Sequence, residues 1–360
     1  MNRKIWLYFL VLAMPGVAQN KTRGYADTIG FAHTAAQMDS VIHRINTSQN
    51  KELTGARNKA GIKKSTVFKT VIAPHDDYTY TGYLYPLALE NIKAKTIILF
   101  GVAHKAKSFK VENQLVFDSY TYWSGPYGKI QVSPLRDELI AGLDKSLYQV
   151  NDTLQKMEHS VEAEIPFLQY YNRNIEIISI LVPHTNFEQM SELSSAFAKA
   201  LAGTMKKHNL KWGKDIAFVI SADAVHYGDE EWGGSNFAFY GADSTGYKRA
   251  VAHEHVIIDS CLAGKLDISK MKLFTHYTVK DENYKEYKWT WCGRYSVPAG
   301  LLASYYLCKE LKQKPLQGTQ LGYSTSISNN PVHVNDLGGM GVTAKAYIRH
   351  WVGYAAIGFK

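Results

Sequence analysis

The stretch Ile216-Ala217-Phe218-Val219-Ile220-Ser221-Ala222-Asp223-Ala224-Val225-His226-Tyr227 decides the fold. Its first six residues are a β-branched apolar run with a polar exit, which is how a buried strand reads. A carboxylate and an imidazole follow within five residues of the strand's end. Two earlier stretches repeat the arrangement. Thr70–Pro74 is followed by His75, and Thr96–Gly101 by His104. A fourth apolar run, Ile175–Val182, ends next to His184. Between the runs lie segments with apolar residues at helical spacing, over 83–92, 162–171 and 186–205.

Strands that alternate with helices predict an α/β protein built on a central sheet. The C-terminal part differs: 316–328 and 341–351 read as strands with no helix between them, which predicts an antiparallel addition and makes the sheet mixed. No Pro/Gly/Ser-rich linker or internal repeat interrupts residues 66–360. The expectation is a single domain with a central mixed sheet flanked by helices. Residues 19–65 form a polar N-terminal segment whose amphipathic part, Ala35–Ile42, predicts a short helix.

In open α/β sheets, ligands bind in the crevice at the carboxyl ends of parallel strands. His75, His104, Asp223 and His226 all fall there. A lone histidine after a strand is usually a hydrogen-bonded loop residue, but several strand ends carrying imidazole or carboxylate point to one shared site. His184 is a second-rank candidate. His208, His253, His255 and His276 lie in helical or polar surroundings and are expected at the surface.

Cysteine use fits a site better than a scaffold. There are three, Cys261, Cys292 and Cys308. An odd number leaves at least one thiol unpaired in the chain, although one disulfide is possible. Cys261 and Cys308 sit in amphipathic helical patterns, where a buried inert thiol is the simpler reading. Cys292, in Trp289-Thr290-Trp291-Cys292-Gly293-Arg294, precedes a helical run from Pro298 to Leu311. A thiol so placed either ionises and binds a metal or is inert in the core.

The first eighteen residues form a separate unit. Arg3 and Lys4 precede the apolar run Ile5–Met14, and Val17-Ala18-Gln19 supplies a small-residue exit. This is the pattern of a signal peptide cut after Ala18, too short to span a bilayer comfortably. An exported protein, periplasmic or extracellular, with no transmembrane span after cleavage is expected. The formal charge of +9 comes without a nucleic-acid type of Lys/Arg block, so nucleic acid is not an expected partner.

Five motifs together resemble one family. They are Ala73-Pro74-His75-x-x-Tyr78-x-Tyr80, Gly101-x-x-His104, Glu158-His159-Ser160-Val161-Glu162, Ser221-x-Asp223-x-x-His226-Tyr227-Gly228 and Cys292-Gly293-Arg294. Their order and spacing resemble the Memo family, whose bacterial members are called AmmeMemoRadiSam system protein B. Gly353-Tyr354-Ala355-Ala356 is similar to that family's last strand. The resemblance covers roughly residues 66–360 and implies a LigB-like fold, that of the class III extradiol dioxygenases.

The resemblance also implies that His75, His104 and Cys292 are metal ligands, with Asp223 and His226 beside them and iron or copper as the metal. Two imidazoles and an anionic ligand suit non-haem iron; a thiolate shifts preference toward copper(I) or zinc. His226 would serve as a general base oriented by Asp223, or both would fix the ligands' tautomers. Asp76, Asp77, Tyr78, His159 and Glu162 are candidate pocket residues. For Glu162 and Glu164 the alternative is favourable interaction with a helix N-terminus.

Two departures from the family's pattern stand near the site. Asp76-Asp77 replaces an expected Ala-Gly, and Lys105 stands where a second histidine is usual. The export signal is a third departure. A metal-dependent, dioxygenase-like redox enzyme acting on a small molecule is the leading expectation. A non-catalytic metal carrier or peptide-binding protein is the first alternative, and a zinc hydrolase using Asp76 and Asp77 is the second.

Overall fold

A computed structural model describes residues 20–228 and 236–360. The expected signal peptide lies outside the described residues. The long strands are β1 (Thr70–Ala73), β2 (Thr96–Val102), β3 (Glu176–Val182), β4 (Ile216–Ser221), β5 (Gln317–Thr325) and β6 (His350–Phe359). Across the sheet they run β3-β2-β4-β1-β6-β5. The first four are mutually parallel. β6 and β5 are antiparallel to their neighbours, so the sheet is mixed as expected.

Successive residues of these strands enter two separate cores. Ile98 and Phe100 of β2, with Ile216, Phe218 and Ile220 of β4, face one core. Ile97, Leu99, Ala217 and Val219 face the other. The period-two alternation of a strand therefore produces two apolar faces, and helices cover both. On the first face lie α2 (Phe187–Lys207), α3 (Ser244–Ile257) and α4 (Ser296–Glu310). α2 starts where the Asn186 side chain accepts the Gln189 N–H, and it buries Met190, Leu193, Phe197 and Leu201 at helical spacing. On the second face lies α1 (Ala35–Ser48), opened by a capping box of Thr34 and Gln37. Among the described residues no helix is long and apolar enough to cross a membrane.

One expected strand is misplaced. Residues 341–349 form no long strand, and the strand runs over His350–Phe359 instead. All ten residues of β6 are buried because it sits between β1 and β5 with both faces covered. A strand of that kind shows an uninterrupted apolar run rather than alternation. The segment before it turns at Gly338 and Gly339, both at positive φ.

The polar N-terminal segment joins the domain tightly. Thr22–Arg23 adds a short parallel strand beside Tyr122–Trp123. The buried Arg23 guanidinium pairs with Glu162, donates to the Gln155 and Glu158 carbonyls and stacks on Trp123. Glu162 also accepts the Ala26 and Asp27 N–H groups. Removing one partner of a buried pair strands the other charge. Arg23→Ala is therefore expected to destabilise the protein by about 3–5 kcal/mol, read from urea unfolding; a loss under about 1 kcal/mol would show the pair to be inessential.

Candidate metal centre

Because β1, β2 and β4 are parallel, their carboxyl ends point to one edge of the sheet. His75, His104 and Asp223 therefore meet there, in a cavity of about 740 Å³. Cys292 reaches the same place from the loop before α4. A Cβ at Gly293 would stand 2.3 Å from the Ala222 Cβ, so the glycine lets this loop close on the end of β4. Gly101 likewise allows Ser160 and Val161 to approach β2, where a Cβ would lie 2.4 Å from Val161 Cγ1.

The Cys292 Sγ lies 3.0 Å from His104 Nε2 and 3.5 Å from His75 Nε2. His159 completes the cluster. Its ring stacks on His104 at 4.7 Å between centroids, and one nitrogen each of His75, His104 and His159 falls within a mutual 4.8 Å. These three imidazoles form a group that could hold a metal ion. The structure thus raises His159 from pocket neighbour to a member of the imidazole cluster.

The far sides of the His104 and His75 rings are held as a metal ligand needs. His104 Nδ1 lies 2.8 Å from Glu158 Oε1, while Glu158 Oε2 accepts the His104 N–H at 2.8 Å. An ionised carboxylate only accepts, so Nδ1 carries the proton and Nε2 offers its lone pair when the ring is neutral. His75 Nδ1 lies 2.9 Å from Ser221 Oγ, whose own hydrogen goes to the Ser160 carbonyl at 2.6 Å. The hydroxyl must therefore accept from His75, which again directs Nε2 to the cavity.

Electrostatics follow this crowding. Burial opposes charge on the Cys292 thiol, but His104 and His75 outweigh it and pull its pKa well below the usual value. Burial also disfavours charge on His104, yet Glu158 and Cys292 raise it well above the ordinary range. Glu158 is driven below the carboxylate range by His104 despite complete burial. His159 goes the other way, down to about 4, through burial and the adjacent His104. Asp223 Oδ1 accepts the His75 N–H at 2.9 Å, and Oδ2 lies 3.4 Å from His75 Nε2 and 3.8 Å from His226 Nε2. His226 is raised to about 10, burial being overcome by Asp223 and Cys292.

Asp76 and Asp77 both line the cavity. Tyr354 donates its hydroxyl hydrogen to Asp76 Oδ2 at 2.6 Å, and Thr343 donates its N–H to Asp77 Oδ2 at 2.6 Å and its hydroxyl at 3.0 Å. Asp77 thereby ties the loop Thr343–Ala346 to the His75 turn, and Tyr80 adds a bond to the Ala344 carbonyl. Asp77→Ala is expected to lower hydrogen-exchange protection across residues 341–346, with a stability loss of about 1–3 kcal/mol. Unchanged protection would show the loop to be held by its other contacts.

Burial and the nearby Asp223 carboxylate push Asp76 up to about 6, and burial with the adjacent Asp76 pushes Asp77 up to about 8. The folded protein then holds protons that the unfolded chain releases near pH 4, so this pair's contribution to stability falls as pH rises from about 4 to about 8. In metal-free protein Asp76→Asn is expected to flatten that fall by about 1–3 kcal/mol, at roughly 1.4 kcal/mol per pKa unit. Parallel urea midpoint curves for wild type and variant would refute it.

Two candidate pocket residues lie elsewhere. Tyr78 is fully buried beneath the site, with its hydroxyl donating to the Ala163 carbonyl at 2.9 Å. Glu162 faces Arg23 rather than the metal cluster. Each stands three residues after a histidine in a family-like motif, Tyr78 after His75 and Glu162 after His159, yet both turn inward. Its 3-10 turn over Glu162–Glu164 also serves Arg23 rather than only a helix dipole. His184 packs against Tyr295 and does not line the cavity. His208 and His276 are exposed, whereas His253 and His255 are half-buried. All three cysteines are free and buried.

Glu158 was visible in the sequence only as the residue before His159; its role depends on folding back 54 positions to His104. Ser221 and Tyr354 likewise stand in family-like motifs, but their bonds to His75 and Asp76 arise only in the fold.

Comparison with known proteins comes to one family. The family model described as "Memo-like protein" matches residues 40–333. A MEMO1 family protein of Methanosarcina barkeri is 30% identical over 158 residues, 43% of this chain and 54% of the relative. One from Methanococcoides burtonii is 24% identical over 265 residues, 73% of this chain and 82% of the relative. One from Pyrococcus abyssi is 27% identical over 161 residues, 44% of this chain and 52% of the relative. The chain thus spans about half the length of the first and third of these relatives.

Proposed function

The chain belongs to the Memo-like protein family, and from that premise we propose that it holds a redox-active metal ion, iron or copper, in the strand-end cavity and acts with it on a small organic molecule. The observation that carries this reading is the convergence of His75, His104, His159 and Cys292, with the outer nitrogens of His75 and His104 already engaged.

His75, His104 and Cys292 would hold the ion, with His159 beside them. A bound ion of this kind supplies Lewis acidity and one-electron chemistry. The protein's own residues do the rest. Glu158 and Ser221 fix the ring orientations. Asp223 orients His226, whose imidazole lines the cavity and passes a proton to or from the bound molecule. Phe31, Tyr80, Tyr287 and Trp351 give the cavity aromatic walls for an apolar part of the substrate.

The carboxylates of Asp76 and Asp77 are occupied by Tyr354 and Thr343. A carboxylate that accepts such bonds keeps lone pairs for a metal, so a zinc hydrolase using this pair stays the second alternative, which identification of the metal decides. Export is proposed on the character of the first eighteen residues alone.

Metal analysis of the protein from its native host, followed by oxygen uptake with catechol-type and thiol substrates after anaerobic reconstitution, tests the proposal. Iron or copper with metal-dependent turnover is the expected result. Tight binding without turnover over a broad panel would leave a metal carrier, and a metal-free pocket would overturn the reading.

A further inference from the structure

The residues on either side of Cys292 have little regular structure to hold them. Val225 and Trp291 form a single antiparallel bridge. Around it the Cys292 N–H donates to the Ala224 carbonyl at 3.2 Å, and the His226 N–H to the Thr290 carbonyl at 2.9 Å. So the loop bearing the thiol and the loop bearing Asp223 and His226 lie side by side. Their relative position, with the pairing of His226–Gly228 to β6, sets the thiol against the rings of His75 and His104 and the imidazole beside Asp223.

Both loops are fastened to one buried side chain. Glu254, on α3, is wholly inaccessible. Its Oε1 accepts the indole N–H of Trp289 and that of Trp291, each at 2.6 Å. Its Oε2 accepts the Val225 N–H at 3.1 Å. One carboxylate therefore grips the residue immediately before Cys292 and the residue immediately before His226.

Stability alone does not account for a carboxylate there. Burying a charge with only neutral donors is costly, and an apolar side chain of similar volume usually stabilises a core at least as well. What three N–H donors on one rigid acceptor supply is geometry. They fix two loops against each other within hydrogen-bond tolerance.

We infer that Glu254 is a positioning residue that sets the Cys292 thiol and the His226 imidazole in register at the metal centre, through Trp289, Trp291 and Val225. Only its metal readout rests on the function proposed above. Glu254→Gln is the informative variant. Whichever way the amide turns, its NH₂ faces an N–H donor, either the indoles or Val225, so one of the two loops must shift. Trp291→Phe removes a single donor and keeps an aromatic ring beside Cys292.

Cobalt(II) titration and iodoacetamide labelling, the latter mapped peptide by peptide so that Cys261 and Cys308 are read separately, test this on the full chain. Glu254→Gln is expected to weaken cobalt binding by about 10–100-fold, as loss of a partner supporting a metal site does. Its thiolate-to-cobalt absorption should shift, and the Cys292 labelling rate in metal-free protein should change several-fold. Trp291→Phe should move both in the same direction by less. Unchanged absorption, affinity and labelling in a folded Glu254→Gln protein would overturn the inference. If that variant does not fold, Trp291→Phe decides by the same readouts. Should wild type bind no cobalt, the labelling rate alone decides the role of Glu254, and the proposed function is judged separately by metal analysis of the native protein.

Discussion

Cys292→Ser is expected to weaken binding of a soft or borderline ion such as copper(I) or cobalt(II) by about 100-fold or more, beyond the 10–100-fold that loss of a supporting partner costs. The fold should stay intact. The thiol lies 3.0 Å from His104 Nε2 and 3.5 Å from His75 Nε2, so it occupies the place where an anionic ligand would complete the pair. Burial opposes ionisation of the thiol, but those rings outweigh it and pull its pKa well below that of a free thiol, which favours the thiolate form that binds metals. Serine keeps the shape but its hydroxyl does not ionise in that range. Calorimetric titration distinguishes the two available ligand sets. If Cys292→Ser binds as wild type does, while His159→Phe does not, the three imidazoles hold the ion and the thiol stands beside it. Phenylalanine is the substitution of choice because it preserves the stack on His104.

Glu158→Ala is expected to cost about 3–5 kcal/mol of stability, as much as Arg23→Ala, together with loss of metal binding. The carboxylate is buried and accepts from the His104 ring, the His104 backbone and the Ser160 backbone. Deleting it leaves three donors without an acceptor and frees the His104 ring to turn. Because burial is outweighed and Glu158 titrates below its ordinary 4.5, its stabilising contribution is present above that pH and is lost as pH falls beneath it. His104 has the opposite sense. Its raised pKa makes its contribution complete below 6.5 and lost as pH climbs through the folded-state value. Urea unfolding of metal-free wild type and variant across pH checks both. A loss under about 1 kcal/mol would mean that solvent replaces the carboxylate.

The placement of the site was legible because strand ends are legible. Apolar β-branched runs with polar exits located β1, β2 and β4 closely, and parallel pairing made their exits coincide. Helices with strong periodicity were equally readable: Asn186 caps α2 where the pattern begins. The last strand was displaced by nine residues, from 341 to His350 at its start. A strand buried on both faces has no alternation to mark its register, and the loop before it takes its shape from Asp77 and Tyr80, which are far away in the chain.

What the chain determined by itself is therefore the strand-end lining of the cavity: His75, His104, Asp223 and His226 reach it because local sequence sets where each strand ends and which side chains leave its end, while Cys292 arrives from the loop before α4. Only the tertiary structure decided which partners hold them. Glu158 reaches His104, Ser221 reaches His75, Glu254 grips the loops of Cys292 and His226, and Glu162 turns away to Arg23. Each of these bonds joins segments 29 to 146 residues apart. No spacing along the chain encodes them; they arise when the packed sheet brings buried donors and acceptors together, and burial makes each unpaired group too costly to leave.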